Sequence, residues 1–103
     1  MTGSKRGSPS RLVDEVQRYL ERSGLAERIE QATVVPAWPD IVGQAIADVT
    51  TPLRVDQGVL IVAVRSSPWL MELKLMERDI LARINDGRQR GTIQSIHFVM
   101  AER

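Results

Sequence analysis

The spacing of apolar residues changes within one short stretch of the chain. From Val59 to Val64 they follow one another almost without interruption, as in a buried strand, and from Trp69 onward they recur at helical intervals, at Leu73, Met76, Ile80 and Ile84. Ser66 and Ser67 stand at the junction with side-chain oxygens suited to capping a helix, and Pro68 fits the first turn, where a missing N–H costs nothing. The pattern predicts a strand over 59–65 that feeds directly into a long helix over 67–85. On that helix the apolar stripe faces inward, while Met71 and Leu75 point the opposite way and share the outer face with Lys74, Arg78 and Ala82.

Upstream, Leu12, Val16, Tyr19 and Leu20 recur at helical spacing between Pro9 and Gly24, which predicts a first helix over 9–22 stopped by a left-handed glycine. Leu25, Ile29 and Ala32 mark a short second helix that ends before Pro36. A third begins at Pro36 or Pro39, with Trp38, Ile41, Val42, Ala45 and Val49 on its core face. Gly43 falls inside it, at a cost of about 1 kcal/mol relative to Ala, which points to a close approach by another backbone or by Trp69. Residues 53–55 and 59–65 flank Asp56-Gln57-Gly58, a hairpin signal, so these two strands pair antiparallel. The loop Asp86-Gly87-Arg88-Gln89-Arg90-Gly91 leads to a last strand over 93–100, and a strand–helix–strand crossover places it parallel to the second strand. The elements read α-α-α-β-β-α-β, an α+β fold with a three-stranded mixed sheet and helices packed on one face. Residues 1–8 read as a mobile basic arm, and 9–103 as a single domain.

Composition narrows the chemistry. With 43% hydrophobic and 26% charged residues the chain is long and apolar enough to fold, and with 4% aromatics its core must be aliphatic. There is no cysteine and one histidine, so neither a thiolate site nor a histidine cluster is expected and no metal is assigned. No apolar run approaches the ~20 residues of a membrane span, and the first residues lack the apolar centre of a secretory signal, so a cytoplasmic protein with no membrane partner is expected. His97 sits in a strand without a nucleophile or carboxylate motif to work with. The carboxylates alternate with basic residues as on solvated helix faces, and no glycine-rich loop precedes Lys-Ser or Lys-Thr. Nothing here calls for an enzyme or a cofactor.

Five segments stand in a recognisable order: Trp38-Pro39-Asp40-Ile41-Val42-Gly43, Thr51-Pro52-Leu53, Gly58-Val59-Leu60-Ile61-Val62, Ser66-Ser67-Pro68-Trp69 with Glu72-Leu73, and Ile96-His97-Phe98. Together they resemble the DciA family, formerly a domain of unknown function, across roughly residues 10–100. The resemblance implies a KH-like fold and a bacterial helicase loader, or operator, whose partners are the replicative DnaB-type helicase and, weakly, single-stranded DNA. One departure bears on the nucleic-acid side. KH domains clamp the backbone with a Gly-x-x-Gly loop between helices, whereas Gly87 and Gly91 enclose three residues and lead into a strand.

Two candidate surfaces follow from the residues. Met71, Lys74, Leu75 and Arg78 form a partner-binding face, two large apolar groups framed by positive charge. Lys5, Arg6, Arg65, Arg83, Arg88 and Arg90 form a candidate nucleic-acid surface, with Arg88 and Arg90 read as exposed loop residues whose replacement leaves stability nearly unchanged. The first surface suits a non-enzymatic adaptor for the helicase. The second, acting alone, suits a stand-alone KH-like RNA- or DNA-binding module. A net charge of +1, from 14 basic and 13 acidic residues, makes any such binding weak and salt-sensitive.

Overall fold

The computed structural model describes residues 9–102. Helix α1 spans Pro9–Ser23 and stops at Gly24, whose φ of 80° is the left-handed value the sequence predicts there. Then come α2, Leu25–Ala32; α3, Val34–Val42; α4, Gln44–Val49; β1, Thr50–Asp56; β2, Val59–Val64; α5, Ser67–Leu75; α6, Glu77–Asn85; and β3, Ser95–Met100. The third helix and the long helix are each interrupted once, at Gly43 and Met76. With that detail the order is the predicted α-α-α-β-β-α-β. The sheet runs β1-β2-β3, with β1 antiparallel and β3 parallel to β2.

The hairpin turn forms because Gln57 and Gly58 both take positive φ, 51° and 82°, which makes a two-residue loop whose twist matches its strands. Leu60, Val62 and Val64 of β2 and Ile96 and Phe98 of β3 point to one face and are buried there against Val34, Trp38, Val42, Ile46, Leu73, Ile80 and Ile84. Burying each such side chain contributes roughly 1.5–3 kcal/mol, so this helix-covered face carries the fold. A polar chain threads it: the Trp38 indole N–H donates to Thr50 Oγ1 at 2.9 Å, and that hydroxyl donates to the Ile46 carbonyl at 2.6 Å. The opposite face of the sheet, with half-buried Val59, Ile61 and Val99 beside exposed Arg54 and His97, carries no helix among the described residues.

The outer strands carry local irregularities. A bulge between Pro52 and Arg54 shifts the register of β1, and the Ile96 N–H, turned away from β2, donates to the Glu77 carboxylate at 2.9 Å.

Three expectations are corrected. Gly43 is not inside a helix: at φ 91° and ψ 163° it ends α3 and restarts the chain as α4, and a Cβ placed there would touch nothing within 4 Å, so no neighbour crowds it. The kink resets the helical phase, so Ile46 is buried in place of Ala45, which is exposed. The helix over 67–85 bends at Met76 (φ −93°, ψ 3°), although the Met76 N–H still reaches Glu72 O at 3.1 Å and Leu73 O at 3.0 Å. Finally, β3 starts at Ser95, with Ile93 buried ahead of it in the loop.

Candidate functional site

Helix α5 begins where the sequence predicts. Ser66 is extended, and its hydroxyl accepts from the Trp69 N–H at 3.3 Å, with Pro68 in the first turn. Cap and proline together fix where α5 starts. Leu73 is fully buried, while Trp69 and Leu70 are half-buried, so Trp69 lies nearer the surface than its place in the apolar stripe predicts. One turn apart on the outer side, Met71 is 68% and Leu75 83% exposed. Lys74 is exposed beside them, and Arg78 is exposed on α6, across the bend. Neither cation has an ion-pair partner among the described residues. Two large apolar groups standing out from the core, next to unneutralised cations, suit contact with an acidic protein surface carrying an apolar hollow.

The structure divides the predicted basic surface. Lys5 and Arg6 lie outside the described residues. Arg65 does not join the others: it follows β2 at the end away from the hairpin, its N–H bonds the Val49 carbonyl at 3.0 Å, and its guanidinium donates to the Asp48 carbonyl. The loop before β3 lies at the hairpin end, where the Gln94 N–H reaches Gly58 O at 2.8 Å. The six residues of β2, at about 3.3 Å each, separate the two by about 20 Å. Arg65 instead lines a groove of about 560 Å³ on the helix-free face of the sheet, with Leu53, Ala63 and Val99.

Arg88 corrects the sequence reading most. It is half-buried, and all three guanidinium nitrogens donate: Nε to Ile84 O at 3.0 Å, Nη1 to Glu30 O at 3.0 Å and Gly91 O at 3.4 Å, and Nη2 to Thr33 Oγ1 at 3.1 Å. One side chain thus ties the end of α6, its own loop and the α2–α3 junction together. Other contacts hold the same loop. Asn85 both accepts from the Ile93 N–H at 2.8 Å and donates to the Ile93 carbonyl at 2.9 Å, and the buried Gln31 amide donates to Thr92 O at 3.2 Å. At Gly91, φ 72°, a Cβ would fall 2.9 Å from the Glu30 carbonyl carbon and 3.0 Å from the Gln31 nitrogen, and closer still to Glu30 Cβ. Glycine there is required by the close approach to α2. The loop is built structure, and the sequence carries no sign of it, because the Glu30 and Thr33 acceptors lie more than 50 positions away.

Arg90 is exposed and pairs with Glu21 at 3.5 Å, both side chains about half exposed. Arg83 is exposed near Asp40 and Asp86 at a hollow of about 470 Å³. The cleft beside Arg88 and Arg90, about 550 Å³, also holds Glu30 and Asp86. The corner is therefore of mixed charge, with Arg83 and the ion-paired Arg90 as its exposed cations. Among the described residues no three His, Cys, Asp or Glu side chains converge as a metal site would need, and no helix is long and apolar enough to cross a membrane.

Residues 11–98 match the family described as Dna[CI] antecedent, DciA, a match that runs from α1 into β3. Proteins named UPF0232 from Mycobacterium ulcerans and Mycobacterium marinum are each 32% identical to the chain over 88 residues, which is 85% of this chain and 47% of each relative. The UPF0232 protein of Mycolicibacterium smegmatis is 34% identical over 74 residues, 71% of this chain and 38% of its own length. The chain spans less than half the length of these relatives.

Proposed function

Because the chain belongs to the DciA family, we propose that it is a non-enzymatic adaptor which binds a replicative DnaB-type helicase and promotes its loading on single-stranded DNA. The observation that carries this reading is the exposure of Met71 and Leu75, 68% and 83%, on a helix whose other side is locked into the core. Methionine accommodates varied partner surfaces, and Lys74 and Arg78 favour approach to an acidic one. Such an adaptor carries out no chemistry of its own. It binds one helicase conformation better than another, and that difference in affinity shifts the population toward the form that accepts DNA. Arg83 and Arg90, with Lys5 and Arg6 of the N-terminal arm, serve as phosphate neighbours for the single-stranded DNA, in a weak and salt-dependent contact.

The test is binding of the purified chain to purified helicase, with and without single-stranded DNA, for wild type and for Met71→Asp combined with Leu75→Asp. The double variant is expected to keep its fold by circular dichroism and to lose helicase affinity by more than tenfold, since two interface anchors at about 2 kcal/mol each exceed that margin. Unaltered affinity in a folded double variant excludes this face as the docking surface. Absence of helicase binding by wild type removes the adaptor function itself.

A further inference from the structure

We propose that the apolar stripe of α1 is a self-association surface, occupied by the same stripe of a second copy of this chain running antiparallel to it. The first observation is that the stripe stays open to solvent. Not one residue of α1 is buried: Leu12 is 61%, Val13 57%, Val16 49% and Tyr19 60% exposed. The helix packs mainly on α2, with Leu20 its one half-buried residue, and Glu21 reaches Arg90 of the loop before β3. Glu21 lies about 140° around the helix from Val16, at the centre of the stripe. The molecule is correspondingly elongated, 66 × 28 × 22 Å. A helix of 15 residues is marginal in water without a packed face, so α1 gains from a partner.

The second observation is that the stripe is complementary to itself in one orientation. In heptad terms Leu12, Val16, Tyr19 and Ser23 occupy the seam, Val13 and Leu20 flank it on one side, and Glu15 and Arg22 flank it on the other. Two such helices laid antiparallel, with the two-fold axis passing between Gln17 and Arg18, set Val16 on Tyr19 of the second copy and Leu12 on its Ser23. The same alignment sets Val13 against Leu20, apolar on apolar, and Glu15 against Arg22, anion on cation. Symmetry makes each contact twice, as an isologous interface requires. A parallel pair fails this test, because it brings Glu15 beside Leu20. A phospholipid surface fits less well too: α1 carries three arginines but also Asp14, Glu15 and Glu21, so its polar face has no net positive charge with which to seek anionic lipid. The contact area is small, in the transient class below about 1,200 Å², and the association is therefore weak.

Sedimentation equilibrium of the full chain, from about 1 µM to about 1 mM, tests this. The apparent mass should rise with concentration from 11.6 kDa toward twice that value. Val16→Asp should hold it at the monomer mass. The orienting charges give the sharper readout. Glu15→Arg alone and Arg22→Glu alone each place like charges across the axis and should weaken association at least fivefold, whereas an equimolar mixture of the two variants restores both opposite-charge pairs and should associate at least as tightly as wild type. Circular dichroism checks that each variant keeps its helix content, and a variant that loses helix is replaced by Val16→Ser. A wild-type chain that stays monomeric throughout, or association untouched by Val16→Asp or Val16→Ser, overturns the proposal. Association that depends on Val16 but ignores the charge exchange overturns the antiparallel pairing. If a monomeric chain loses helicase affinity on Val16→Asp, the stripe belongs to that partner and not to a second copy.

Discussion

Arg88→Ala separates a structural guanidinium from a surface one. Three of its hydrogen bonds lie at 3.0–3.1 Å and a fourth at 3.4 Å. A hydrogen bond from a charged donor is worth about 1.5–3 kcal/mol when well shielded, and here the side chain is only half-buried, so each short bond is worth closer to 1 kcal/mol. Truncation does not orphan every acceptor. Glu30 O keeps the Thr33 N–H at 3.2 Å and the Thr33 hydroxyl at 2.6 Å, but Ile84 O loses its side-chain donor at the end of α6. The net loss is about 2 kcal/mol, which in a domain of this size lowers Tm by about 10 °C. Arg90→Ala removes one half-exposed ion pair and should cost no more than about 0.5 kcal/mol. Thermal unfolding followed by far-ultraviolet circular dichroism, with urea titration for the free energy, compares the two. Equal shifts for the two variants would refute the assignment of Arg88 as a tie between α6 and the α2–α3 junction. Arg88→Lys should recover little, because a single ammonium cannot span acceptors on three segments.

Other consequences are open to the same methods. Gly91→Ala should destabilise by more than about 2 kcal/mol, combining positive φ with overlap on α2, whereas Gly87→Ala, at φ 76° in open space, should cost only about 1 kcal/mol. Gly43→Ala should lower Tm, since φ 91° with ψ 163° is a conformation essentially reserved for glycine and costs about 1–3 kcal/mol otherwise; a helix running through this position would instead be stabilised by alanine. Thr50→Val leaves the buried Trp38 N–H without an acceptor and should cost about 1–3 kcal/mol in urea unfolding read by tryptophan emission. Arg83→Ala with Arg90→Ala should reduce the slope of log affinity for single-stranded DNA against log salt by about 0.7 for each phosphate no longer neutralised, and an unchanged slope removes both from that surface.

The elements legible in the sequence are those whose signals are local. Ser66 with Pro68 marks the start of α5, Gln57-Gly58 marks the hairpin, and the switch of apolar spacing after Val64 separates strand from helix without reference to anything distant. The outward phase of Met71 and Leu75 is equally readable, since it depends only on the angle per residue. Gly43 is misleading because a glycine costs a helix little, and spacing alone does not distinguish a tolerated glycine from one that turns the chain; Ala45 and Ile46 exchange places as a result. Arg88 escapes the sequence for a different reason. Its environment is made by the Thr33 hydroxyl and by carbonyls of α2, α6 and Gly91, groups every residue possesses, and only the tertiary fold decides which of them converge on one guanidinium. Arg65 shares a charge with Arg83 and Arg90 but sits at the other end of β2, a separation set by strand direction.

The two outer strands bear on how this protein joins others. On β3 an edge donor, the Ile96 N–H, is already held by Glu77, and on β1 Pro52 supplies no N–H and the adjoining bulge breaks the even spacing that a new strand would have to match. Both margins of the sheet are thus poor templates for a fourth strand, whether from another copy or from an unfolded chain. Recruitment by strand addition is disfavoured, and with it the runaway edge-to-edge stacking that turns small sheets into fibres. Assembly is left to side-chain surfaces, where contacts close and can be released.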